Sequence, residues 1–147
     1  MYEYGCKVTR VVDGDTIDVD LDLGFDIIYK CRVRLYGIDT PESRTRDKDE
    51  KARGKLAAKF LKDAISNGKH VILQTQLKDS KGKFGRVLAS VIVDKIDINQ
   101  QMIDNYMAVK YKGQSKKDIE LEHLSNRDKL IELGVYKPNE QGAKTSR

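Results

Sequence analysis

The sequence predicts one α+β domain, a five-stranded β-barrel carrying three α-helices. Three observations point there. Residues 16–35 alternate apolar and polar side chains with period two on either side of a glycine. A stretch with helical spacing separates these strands from two later strand signals. Two further helical stretches fill the last third of the chain. With 147 residues, the chain can bury one core and hardly two.

Residues 7–12 read as the first strand, ended by the turn signal Asp13-Gly14. In 16–23 the apolar positions are Ile17, Val19, Leu21 and Leu23, with Asp18, Asp20 and Asp22 between them. In 25–35 they are Phe25, Ile27, Tyr29, Cys31, Val33 and Leu35, with Lys30, Arg32 and Arg34 on the other face. Gly24 reads as the hairpin turn, and facing acids and bases can pair across it, each pair worth roughly 0.2–1 kcal/mol. Residues 39–50 form a polar loop. A helix follows, with Ala52, Leu56, Phe60 and Ala64 on one face, Ala57, Leu61 and Ile65 beside them, and Asn67-Gly68 as its stop. Residues 70–75 and 84–93 read as two strands joined by a Lys/Gly-rich tip at 78–83. Residues 99–107 and 115–133 read as helices, the last closed by Gly134. The folded unit is expected over 1–136, with 137–147 a flexible polar tail. A five-stranded barrel with a helix between its third and fourth strands is the OB-fold arrangement, a frequent carrier of nucleic-acid sites.

Composition narrows the chemistry. No apolar run is long enough for a transmembrane helix. Met1–Gly5 lacks a basic segment followed by an apolar one, so the chain reads as cytoplasmic, with a mobile element or virus as a conceivable source. Cys6 and Cys31 are too few for a disulfide scaffold and read as buried strand thiols. His70 and His123 supply too little nitrogen for a His-rich metal centre, so a metal would be held by oxygen. His123 itself reads as a packing or surface residue of an amphipathic helix. Residues 1–50 carry a net charge of −4 and residues 51–147 one of +9. That asymmetry suggests a cation site beside a surface for polyanions.

Four motifs matter together: Asp13-Gly14-Asp15-Thr16, Arg34 through Asp39-Thr40-Pro41-Glu42, Lys83-Phe84-Gly85-Arg86, and the aromatic-basic stretch 106–112. Each is ordinary by itself. Asp-Gly-Asp is a common turn, and Asp-Thr-Pro-Glu could simply open a helix. Combined, they fit phosphodiester chemistry. Carboxylates from Asp15 and Asp39, with a backbone oxygen near Thr40, suit a hard cation such as Ca²⁺ or Mg²⁺. Glu42 lies close enough in sequence to activate a water. Arg34 and Arg86 can stabilise charge that develops on a phosphoryl group.

On these motifs the chain resembles the thermonuclease (staphylococcal nuclease) family over roughly residues 5–135. Asn99 and His123-Leu124 are weaker echoes. The resemblance implies an OB-fold barrel with three helices, binding one Ca²⁺. It implies an endonuclease that cuts DNA and RNA with little sequence specificity and leaves 3′-phosphate ends. Carried onto this chain, Asp15, Asp39 and the Thr40 backbone oxygen become metal ligands. Glu42 becomes the general base, Arg34 and Arg86 the arginines on the scissile phosphate, and Lys83, Phe84 and Tyr111 substrate contacts. Asp13 reads as completing its turn rather than touching the metal. The expected partner is single-stranded or locally melted nucleic acid, bound by a monomer. Two departures bear on substrate affinity: Phe84 stands where the family often has Tyr, and Lys112-Gly113 replaces Lys-Pro. The competing expectation is a binding module that keeps the barrel without the chemistry, although every catalytic position is filled here.

Overall fold

A computed structural model describes residues 2–75 and 87–138. Five long strands form the barrel: β1 (Tyr2–Asp13), β2 (Thr16–Asp22), β3 (Ile28–Leu35), β5 (Val71–Thr75) and β6 (Val87–Val93). Their order is β3-β2-β1-β5-β6, and a parallel β3–β6 pairing at Val33↔Val87 closes the ring. The other barrel pairings are antiparallel. Two-residue strands β4 (Ile38–Asp39) and β8 (Val109–Lys110) pair with each other outside the ring, and β7 (Ile96–Asp97) extends β6. Helices α1 (Lys48–Ser66), α2 (Ile98–Asp104) and α3 (Lys116–Glu132) complete the α+β, OB-fold-like domain.

The period-two reading holds away from the hairpin tip and fails toward it, where Leu23, Ile27 and Tyr29 are exposed. Ile17, Val19, Leu21, Val33 and Leu35 all fall in the core. On the outer face the register sets Asp18 opposite Arg32 and Asp20 opposite Lys30, with ion pairs of 2.8 and 3.2 Å. Cys6 and Cys31 are half-buried free thiols in β1 and β3, and burial pushes the Cys6 thiol up to about 11.

Four local expectations need correction. The first strand begins at Tyr2, not at residue 7, because Tyr2–Gly5 pairs with β5 before the strand turns to β2. The hairpin is not a tight turn at Gly24. Gly24, Phe25 and Asp26 are all left-handed (φ 82°, 53° and 61°), and Leu23 donates to the Ile27 carbonyl across a wider loop. That loop takes Phe25 out of the strand and leaves it 98% exposed. The helix expected at 99–107 stops at Asp104, because Tyr106 is left-handed (φ 62°) and Met107 and Ala108 both donate back to the Met102 carbonyl. Finally, α1 buries Arg53, Gly54, Ala57 and Leu61, while Ala52 faces solvent. Of the tail expected at 137–147, only Lys137 and Pro138 lie within the described residues.

Candidate active site

The site grows out of the β1–β2 turn. The Asp15 carbonyl accepts the Leu35 amide at 2.8 Å, which stitches this turn to the end of β3, where Thr16 lies opposite Arg34. Only glycine fits at position 14. A Cβ there would lie 2.8 Å from the Ala57 Cβ and 2.9 Å from the Thr40 Oγ1, so the turn packs directly under α1 and the strand carrying Asp39. Asp13 accepts its own turn's Gly14 amide at 3.1 Å. Burial raises its pKa, against opposing hydrogen bonds from Ser43 and Gly14.

Arg34 is fixed rather than loose. Its Nη1 donates to the Leu35 carbonyl at 3.1 Å and to the Ile38 carbonyl at 2.9 Å. The same nitrogen stands 3.4 Å from Asp15 Oδ2, and Nη2 stands 3.5 Å from Asp39 Oδ1. One guanidinium thus spans two carboxylates that lie 24 positions apart in sequence. The turn between β3 and β4 makes this possible. Gly37 takes φ +77° there, a conformation glycine adopts without strain. Buried Asn99 holds the turn in place by donating to the Tyr36 carbonyl at 2.9 Å while accepting the Val91 amide at 3.1 Å.

Asp15 and Asp39 are further tied by the backbone. The Thr40 amide donates to Asp15 Oδ2 at 3.3 Å, and the Thr16 hydroxyl donates to Oδ1 at 3.0 Å. The Thr40 hydroxyl is buried and has no hydrogen-bond partner among the described residues. Asp39 pairs with Val109 in the β4–β8 ladder. Glu42 follows in an exposed loop, where its amide donates to Glu50 at 3.2 Å. That loop is not the start of a helix: α1 begins at Lys48 and is capped by Asp47, whose side chain accepts the Asp49 and Glu50 amides. Tyr111 is half-exposed and donates its amide to the Gly37 carbonyl at 2.8 Å, which puts it beside the same turn. Lys83, Phe84 and Arg86 lie outside the described residues.

Asp15 and Asp39 bring two carboxylates to one guanidinium, and carboxylate oxygens are donors of the kind a hard cation takes. Among the described residues, no group of three or more His, Cys, Asp and Glu side chains is arranged to hold a metal.

His123, read from sequence as a packing or surface residue, proves to be a packing one with a partner the sequence did not reveal. It is buried, and its Nε2 lies 2.7 Å from Asp39 Oδ2. Its neighbours on α3 are equally polar and equally engaged. Asn126 donates to the Ala108 carbonyl at 3.1 Å, and Arg127 donates to Asp49 at 3.0 Å. Leu121 and Leu124 face solvent, whereas Leu130, seven positions after His123, is buried. Asp49 also accepts from Arg53 at 3.2 Å and from the Tyr136 hydroxyl. Burial works against ionising Asp49, but the Tyr136 hydrogen bond and the two arginines outweigh it and lower its pKa.

A family model described as staphylococcal nuclease homologue matches residues 32–135. A thermonuclease of Staphylococcus hyicus is 36% identical over 102 residues, 69% of this chain and 56% of that protein. A thermonuclease of Staphylococcus intermedius is 43% identical over 84 residues, covering 57% of this chain and 46% of its own length. An SPbeta prophage-derived endonuclease of Bacillus subtilis is 33% identical over 118 residues, 74% of this chain and 38% of that protein. The chain spans about half the length of the curated relatives it matches. Among the described residues, no helix is long and apolar enough to cross a membrane.

Proposed function

The chain belongs to the staphylococcal nuclease homologue family, and from that membership and the site geometry we propose that it is a Ca²⁺-dependent endonuclease. Its substrates in this reading are DNA and RNA, cut with little sequence specificity to leave 3′-phosphate ends. The observation that carries the proposal is the bridging of Asp15 and Asp39 by Arg34. Two acids and a fixed guanidinium at one spot answer the two needs of phosphodiester hydrolysis, a place for a cation and a fixed donor for the phosphate.

Asp15, Asp39 and the Thr40 backbone oxygen would hold the Ca²⁺, which when bound neutralises negative charge on the phosphate. Arg34, pinned by two carbonyls, presents its remaining donor capacity to a phosphate oxygen without reorganising. Arg86 is assigned the same task. Glu42 takes a proton from the attacking water. The water oxygen bonds to phosphorus, the bond from phosphorus to the 5′ oxygen breaks, and that oxygen takes up a proton. The 3′ oxygen keeps the phosphate, which gives the proposed product. Lys83, Phe84 and Tyr111 are assigned to the substrate, with Phe84 and Tyr111 offering rings for base stacking. The positive balance of residues 51–147 favours a polyanion, with affinity that falls as salt rises.

Substitution tests the assignment. Glu42→Ala and Arg86→Ala should each lower the cleavage rate by orders of magnitude in a folded protein, as removal of a general base or a charge-stabilising donor does. A rate within a few-fold of the unsubstituted chain would remove that residue from the mechanism.

A further inference from the structure

His123 reaches Asp39 through a chain of registered contacts, not through chance proximity. The β4–β8 ladder sets Asp39 opposite Val109. Asn126 of α3 holds the carbonyl of Ala108, the residue just before Val109. Residues three apart on a helix share a face, so the anchor at Asn126 brings His123 over the carboxylate on the neighbouring strand. The ring is buried, and the Nε2 to Oδ2 distance of 2.7 Å is that of a charge-assisted hydrogen bond. An ionised carboxylate only accepts, so Nε2 carries the proton and donates. Arg34 stands at the opposite oxygen, Oδ1, at 3.5 Å. Both oxygens of Asp39 therefore have a neighbour, and the plane of the carboxylate is set from two sides.

We propose that His123 is a positioning residue for the cation site: it holds Oδ2 of Asp39 so that Oδ1 stays turned toward Asp15 and Arg34. The inference rests on the proposed cation-dependent reading of this site. Its physical basis is that partners of a ligating carboxylate fix the ligand's orientation, and their loss typically costs about 10–100-fold in metal affinity. Without His123, Asp39 would rotate about its side-chain bond, and part of the ordering would have to be supplied when the cation binds. The role needs a donor at the Nε2 position. It does not need an imidazole.

That distinction supplies the test. Ca²⁺ binding is measured by titration calorimetry on the full chain and on His123→Leu and His123→Gln, with a thermal melt of each. The Gln amide nitrogen falls near the place of Nε2 and donates, whereas Leu fills similar space without a donor. The expected result is Ca²⁺ affinity reduced about tenfold or more in His123→Leu and restored to within a few-fold in His123→Gln. Two results would overturn the role: His123→Leu binding Ca²⁺ as tightly as the unsubstituted chain, or His123→Gln binding as weakly as His123→Leu. The second would mean that packing of the ring, not the hydrogen bond, matters. Absence of Ca²⁺ binding by the unsubstituted chain is a different failure, since it removes the cation reading and this role with it. If His123→Leu does not fold, a loss of affinity in folded His123→Gln overturns the role and full affinity supports it.

Discussion

Gly54 of α1 lies against the backbone of Glu42 so closely that a Cβ on it would sit 2.5 Å from both the carbonyl carbon and oxygen of Glu42. The loop bearing the proposed base is thus seated on the helix by the absence of a side chain. Gly54→Ala must move backbone, because nothing flexible is in the way. It should cost about 1–3 kcal/mol through overpacking. It should also lower cleavage by roughly 100-fold, since displacements of about 1 Å at a reacting group have such effects. A melt and a cleavage assay on the same sample separate the two. Unchanged activity would show that Glu42 is not positioned by this contact.

Asn99 is the second support. Its side chain accepts the Val91 amide and donates to the carbonyls of Tyr36 and Ala89. It therefore fastens β6 and α2 to the turn between Arg34 and Asp39. Asn99→Ala would leave buried polar groups unpaired, at about 1–3 kcal/mol for each. A loss of roughly 2–4 kcal/mol is expected by denaturant titration, and a loss below about 0.5 kcal/mol would contradict the assignment.

Asp49 makes stability depend on acid. Its pKa is lowered in the folded state: burial opposes ionisation, but Tyr136, Arg53 and Arg127 more than offset that. A lowered folded value means that the contribution is present above the ordinary carboxylate pKa of about 3.9 and fades as pH falls through the folded value. Asp49→Asn should therefore be destabilised at pH 7, by roughly 1–2 kcal/mol given the partial exposure of the group. The gap from the unsubstituted chain should narrow below about pH 4. A gap that stays constant across that range would show that the network contributes by shape alone.

The barrel was legible because its strands bury one face, and a period-two pattern records that face directly, as Ile17, Val19 and Leu21 show. The acids of the site and Arg34 were legible from motif order, and the structure brings Asp15, Arg34 and Asp39 together. What escaped has physical reasons. The docking face of α3 sets His123, Asn126 and Arg127, each with a polar partner, beside the core residue Leu130, while Leu121 and Leu124 point outward. Hydrophobic patterning finds Leu130 on such a face and misses its polar members. Gly54 and Arg53 look like surface residues until the loop above them is placed. The two-residue β4 and β8 strands are too short for any period to register, yet they are what sets Asp39 beneath α3.

The central claim is that Asp15 and Asp39 hold a cation on which phosphodiester cleavage depends. Cleavage of a fluorogenic single-stranded DNA by the full chain, with millimolar Ca²⁺ against EGTA, tests it most directly. Cleavage is expected with Ca²⁺ and none with EGTA, with products ending in a 3′-phosphate. Cleavage indifferent to EGTA would contradict the cation site. No cleavage with any divalent ion, by a folded protein, would contradict the enzyme reading and leave a nucleic-acid-binding barrel.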